Sequence, residues 1–295
     1  MEKHIMAKTW LITGSGRGLG RHIAEAVLAA GDNLLATARD TAQLADLQRR
    51  HGARIRVARL DVTDAAAAQS AVRQALDGFG ALDVLVNNAG YGHIAPFEQT
   101  AEDDFRAQMD TNFYGVVNLV RAALPAMRAQ RAGHVINISS VGGRVGTPGL
   151  AAYQSAKWAV GGFTEVMAME AAPFGVKFVS VEPGGMNTDW AEVAGGSVPQ
   201  LLPDYQASVG YLLGLLEQHR GQAAGDPARV AQVVLALAAH PQPPSHLLLG
   251  SDALHYFGQA DGQRQRDAAA WDQVSRSTDA GRSGPLPALP PAAGD

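Results

Sequence analysis

The sequence predicts an α/β fold, a doubly wound parallel sheet of seven strands with helices on both faces, forming one domain. Three observations point to it. Short β-rich runs alternate with helical stretches of ten or more residues. The first run opens into a glycine-rich turn that leads into a helix. At 295 residues, 46% of them hydrophobic, the chain is long enough to bury a large core and still be a single unit.

The elements follow in order. Residues 1–8 form an N-terminal extension, and Met6 makes residues 1–5 an optional part of it. The strand runs are "TWLIT" at 9–13, "NLLATA" at 33–38, "ARIRVARL" at 53–60, "DVLVNN" at 83–88, "GHVINIS" at 133–139, "VKFVSVE" at 176–182 and "HLLLG" at 246–250. Strand, helix, strand repeated in this way calls for right-handed crossovers that cover both faces of a parallel sheet. Ligands of such a sheet sit beyond the carboxyl ends of its strands, where the strand order reverses. The main domain should span residues 9–274. Residues 186–226 read as an insertion with short helices of its own, a lid over the substrate. From residue 275 to 295 the chain is rich in Pro, Ala and Gly and should be a disordered tail.

Composition excludes several functions. There is no cysteine, so disulfides, thiolate catalysis and cysteine-held metals are ruled out. The nine histidines show no metal-binding spacing, so no catalytic metal is expected. A net charge of -4 gives no general reason to bind nucleic acid or an anionic membrane. No apolar run is long enough for a signal peptide or a bilayer span, and a cytoplasmic protein is expected.

The turn "TGSGRGLG" carries Gly14, Gly18 and Gly20 between the first strand and its helix. Glycines there allow a tight turn and close approach to a diphosphate, whose charge meets the exposed amides of the helix start. Tyr153 and Lys157 stand four apart in "AAYQSAKWA", one helical turn from each other. A phenol titrates near ~10, too high for efficient proton exchange at neutral pH. A cation about 5 Å away, at an effective dielectric of about 20, would favour the phenolate by roughly 3 kcal/mol, or about two pKa units. The pairing therefore predicts a tyrosine tuned downward by its lysine.

Five motifs, "TGSGRGLG", "NNAG" at 87–90, "NISS" at 137–140, YxxxK at 153–157 and "PGGMNT" at 183–188, occur in an order and spacing that resemble the short-chain dehydrogenase/reductase superfamily. The resemblance covers roughly residues 7–190 and implies a seven-stranded Rossmann sheet. It also implies a nicotinamide dinucleotide held by Gly14, Ser15, Arg17, Gly18, Leu19, Gly20, Arg39, Asp61, Val62, Asn88, Ala89, Gly90, Tyr153, Lys157, Pro183, Gly184, Met186 and Thr188. NADP(H) is favoured over NAD(H). Ala38 stands where NAD-selective relatives carry aspartate, and Arg17 and Arg39 could pair with a 2′-phosphate. Asp40 reads as the cap of a helix starting at Thr41, with the ribose acid as its alternative. Asp61 reads as an adenine contact or as a plain turn residue.

The same resemblance implies that Tyr153 is the general acid/base and that Ser140 bonds the substrate oxygen, with Ser139 as the competing serine. Lys157 would hold the nicotinamide ribose. Asn112 would brace a water leading to the lysine, or else bond backbone within its helix. Candidates for the substrate wall are Tyr91, His93, Phe97, Val141, Arg144, Leu150, Met186 and Trp190, mostly apolar or aromatic, which suggests a hydrophobic carbonyl compound. Arg144 could meet a substrate carboxylate or face solvent. The expected activity is carbonyl reduction; the alternatives are an oxidative alcohol or hydroxysteroid dehydrogenase and a non-enzymatic dinucleotide-binding regulator. A homodimer or homotetramer is expected on the resemblance.

Overall fold

The computed structural model describes residues 7–186, 194–196, 198–218 and 222–291. Seven parallel strands form one sheet in the order β3-β2-β1-β4-β5-β6-β7. They are β1 (Thr9–Ile12), β2 (Asn33–Ala38), β3 (Ile55–Arg59), β4 (Val84–Asn87), β5 (Gly133–Ile138), β6 (Val176–Pro183) and β7 (His246–Leu249). The strand alternation buries both faces. Trp10, Ile12, Leu34, Ala36, Val84 and Val86 point into one core layer, while Leu11, Leu35 and Leu85 point into the other.

The first layer is closed by helices α1 (Gly18–Ala29) and α2 (Ala45–His51), together with a later helix, Pro227–Leu237. The second is closed by α3 (Ala65–Phe79), α5 (Gly115–Gln130) and α6 (Ala151–Ala171), with α4 (Glu102–Met109) leading into α5. α7 (Tyr211–Gln218) lies in the insertion; the later helix is α8 (Pro227–Leu237), and α9 (Ser251–Ala270) follows the last strand.

Caps set the helix starts. Asp64 accepts from the amides of Ala66 and Ala67 at the head of α3, and Asp226 accepts from Ala228 at the head of α8. Asp40 accepts from Ala42, so it caps the short helix beginning at Thr41, as its position suggested. A further short helix, Asp272–Arg276, takes in the first two residues of the segment expected to be tail. Among the described residues no helix is long and apolar enough to cross a membrane.

β1 and β4 are neighbours while β2 and β3 extend to one side and β5 to β7 to the other, so the order reverses between β1 and β4. The ends of β1, β4, β5 and β6 therefore bring Gly14, Asn88, Ser140 and Gly184 to the same edge of the sheet.

Candidate active site

The glycine turn is held open by the segment after β4. Asn88 Nδ2 donates to Thr13 O (2.9 Å) and Gly14 O (3.2 Å). In return Thr13 Oγ1 accepts from the backbone amides of Asn88 (2.9 Å) and Ala89 (3.0 Å). Gly14 has φ +68°, open to glycine and costly for other residues. A side chain at Gly20 would begin 2.3 Å from both Asn88 Nδ2 and Gly14 O, so only glycine fits where α1 passes under the turn. Ser15 and Leu19 serve this frame. Ser15 Oγ donates to Ile12 O (2.8 Å), and Leu19 is buried in the core.

α1 begins without a side-chain cap, Arg17 standing at the capping position, and has no acidic residue in its first turn. Its first amides thus remain for a ligand, and a turn with these properties fits a diphosphate. Arg17 and Arg39 are both exposed at this edge. Asp61 accepts from Thr63 N (3.0 Å) and Thr63 Oγ1 (2.8 Å), bonds that hold its carboxyl below the usual range. Its local role is the turn. Val62 packs against Gly115 in the core.

The catalytic candidates converge between β5 and α6. Ser140 ends the β5 segment and accepts from Gly142 N (3.0 Å), and its hydroxyl is hydrogen-bonded to the Tyr153 phenol. Ser139 turns the other way and donates to Lys157 O (3.2 Å), which excludes it as the substrate serine in this arrangement. Lys157 is buried; its Nζ donates to Ile138 O (2.9 Å) and lies 5.5 Å from the centre of the Tyr153 ring. Beside it, Asn112 sits in a wide helical turn, Asp110–Tyr114, between α4 and α5. Asn112 Nδ2 donates to Tyr91 O and Gln108 O (both 2.8 Å), and Oδ1 accepts from Tyr91 N (3.1 Å). A side chain on Gly90 would meet both Asn112 Oδ1 and Lys157 Nζ, so the glycine keeps the two polar groups adjacent.

The electrostatics correct the expectation for Tyr153. Burial pushes its phenol up to about 12, with the Ser140 hydrogen bond acting in the opposite direction. Burial likewise pushes Lys157 down to about 8. The sequence argument counted only attraction between the two groups. Both groups leave water, and desolvation of each charged form sets the direction of both shifts, with no contribution from one to the other.

Tyr153 also belongs to an apolar cluster with Ile94, Leu150, Ala194 and Val209, flanked by Leu201, Tyr205, Leu212 and Leu213. The insertion is pinned to the loop after β4: Ile94 N donates to Ala194 O (3.1 Å), and Gln99 Nε2 donates to Gln200 O (2.8 Å). Leu150 was among the wall candidates read from the sequence; Ile94, Val209 and the flanking residues of the insertion were not, although the apolar spacing of "YLLGLL" was the available signal.

Phe97, Arg144 and Met186 have their partners away from the Tyr153 cluster. Phe97 is 68% exposed and meets Phe105 edge to face on the outer side of α4, so it does not line the Tyr153 cluster. Arg144 is neither free for a carboxylate nor simply solvated. It lies 3.7 Å from the buried Glu182 and stacks over Phe257 of α9 at 5.0 Å. Met186 packs on the α1/α8 core layer and bridges to Gly225. Val141 is half-buried beside Ser140. His93 is engaged with Asp104 (2.7 Å) and stacks against Tyr91, whose phenol is pushed up chiefly by burial. Thr188 and Trp190 lie outside the described residues.

With this geometry in place, the comparisons with known proteins agree. The short chain dehydrogenase family profile matches residues 8–195, and the chain belongs to that family. It is thus an oxidoreductase of a family that binds nicotinamide dinucleotides and acts on small molecules. It is 45% identical over 271 residues to oxidoreductase BOA17 of Botryotinia fuckeliana, covering 92% of this chain and 98% of that one. A short-chain dehydrogenase from Streptomyces avermitilis superposes with a TM-score of 0.85 at 37% identity, over 92% of this chain and 99% of that one. An alcohol dehydrogenase from the archaeon Thermococcus sibiricus, complexed with 5-hydroxy-NADP, gives a TM-score of 0.68 at 26% identity, over 83% and 97% of the two chains.

Proposed function

We propose that this chain is an NADP(H)-dependent carbonyl reductase that interconverts a ketone or aldehyde with its alcohol, acting on a hydrophobic substrate. The observation that carries the reading is the Tyr153 phenol, hydrogen-bonded to Ser140, close to Lys157 and walled by Ile94, Leu150 and Val209. A bound nicotinamide supplies the hydride. The amides of the Gly14–Gly20 turn would hold the diphosphate, with Arg17 and Arg39 on the 2′-phosphate. Asn88, Ala89, Gly90, Pro183, Gly184, Met186 and Thr188 would form the nicotinamide side. The NADP analogue in the archaeal relative supports this choice of dinucleotide.

Each catalytic side chain then has one task. Ser140 and Tyr153 donate hydrogen bonds to the carbonyl oxygen, where negative charge develops as the carbon is reduced. Tyr153 delivers its proton to that oxygen, and the Lys157 ammonium stabilises the phenolate left behind. Asn112 holds the backbone of Tyr91 beside the lysine. The archaeal relative's description as an alcohol dehydrogenase supports the reverse reaction as the second reading. Retention of both Tyr153 and Lys157 argues against a non-enzymatic regulator. The proposal extends to a cytoplasmic location and to a homo-oligomer, the latter supported by exposed Val166 and Met169 on α6.

The test is nicotinamide absorbance with purified protein, NADPH against NADH, across aromatic, aliphatic and steroidal ketones. Turnover with NADPH that Tyr153→Phe abolishes is the expected result. Turnover that survives Tyr153→Phe, or an NADH preference, would overturn the mechanism or the cofactor choice respectively.

A further inference from the structure

The loop that follows β6, Gly184–Met186, is shaped by a residue at the start of α9. Asp252, in the first turn of α9, accepts from Gly185 N through Oδ2 at 2.7 Å. Its carboxylate occupies the space that glycines leave. A Cβ on Gly184 would lie 2.3 Å from each carboxylate oxygen, and one on Gly250 would lie 2.5 Å from Oδ1. Gly184 N meanwhile donates to Leu249 O (2.9 Å), so the loop is bonded both to the end of β7 and to the helix after it.

A carboxylate in the first turn of α9 suits the helix N-terminus, but that does not account for its second oxygen. Oδ1 is buried with no hydrogen-bond partner among the described residues, an arrangement that costs free energy. Burying one oxygen so that the other can fix a single amide is worthwhile where the position of that amide matters. Backbone held to sub-ångström tolerance is what a ligand-binding loop requires.

We propose that Asp252 is a positioning residue for the nicotinamide half of the site: it fixes Gly184–Gly185 and through them the loop that meets the nicotinamide. This rests on the dinucleotide reading above. Asp252 touches neither substrate nor reacting atoms, and acts through the backbone of Gly185.

The experiment compares two ligands on wild type, Asp252→Ala and Asp252→Asn by fluorescence titration: NADPH, and 2′,5′-ADP, which contains only the adenosine half. Asp252→Ala should bind NADPH about tenfold more weakly, a loss of roughly 1.4 kcal/mol, with 2′,5′-ADP unchanged. Asp252→Asn keeps an oxygen acceptor for Gly185 N–H and should recover most of the loss. In the protein without ligand, hydrogen exchange at the Gly185 amide should quicken in Asp252→Ala. Equal losses for both ligands would show a general loosening of the fold and overturn the proposal; so would unchanged NADPH affinity or unchanged exchange in Asp252→Ala. Failure of wild type to bind either ligand would instead overturn the dinucleotide reading, and the exchange experiment would still judge the brace itself.

Discussion

Removal of the Asn88 side chain tests the clamp between the two halves of the sheet. Asn88→Ala deletes two donated hydrogen bonds and strands the carbonyls of Thr13, which is buried, and Gly14, which is half-buried. At roughly 1 kcal/mol net for each bond, the loss is about 2 kcal/mol. For a domain of this size that lowers the melting temperature by about 5 °C. If the released turn samples other shapes to the same extent, the binding-competent fraction falls and dinucleotide affinity drops by up to about thirtyfold. Asn88→Asp should be worse than Asn88→Ala in both respects, because it turns a carboxylate oxygen toward those carbonyls. Differential scanning fluorimetry and NADPH titration measure the two effects. A melting temperature within 1 °C of wild type, together with affinity within about twofold, would refute the clamp.

Three further outcomes follow from the geometry. Gly20→Ala should abolish dinucleotide binding while the protein stays folded, since its Cβ would collide with Asn88 Nδ2 and Gly14 O; isothermal titration and circular dichroism together decide it. In the direction of reduction, kcat/KM should be level at neutral pH and fall above about pH 8 as Lys157 loses its charge, while Tyr153, near 12, adds no second limb; a level profile to pH 10 would contradict this. His246, held by Glu182 at 2.6 Å, titrates above its ordinary value chiefly through that bond. Its stabilising contribution is therefore complete below about pH 6.5 and is lost as pH rises through the folded value. The melting-temperature gap between wild type and His246→Gln should narrow from pH 6 to pH 8.5, and a constant gap would count against the bond.

Much of the fold was legible because its strands are short, apolar and separated by helical stretches, and because the parallel arrangement follows from that alternation. The Tyr153–Lys157 pair was legible for a local reason, a four-residue spacing within one helix. Asn88 was visible only as part of a motif. Its work depends on β1 lying next to β4, a register that brings together residues 75 positions apart. Phe97 and Arg144 were misplaced because the direction of a loop side chain is decided by distant partners, here Phe105, Glu182 and Phe257. The sign of the Tyr153 shift was missed for a related reason: it depends on how completely Leu150, Val209 and their neighbours cover the ring, and spacing carries no measure of that cover.

The bond from Asp252 to Gly185 spans 67 positions and closes the site from the last long helix. During synthesis, a ribosome that has added Leu249 has joined every strand of the sheet and every recognisable motif, yet the loop after β6 still lacks its acceptor. Assembly of the dinucleotide end of the protein thus waits on residues made after the whole sheet. A chain cut short just beyond β7 would keep its seven strands and its Tyr153–Lys157 pair while losing the contact that sets that loop.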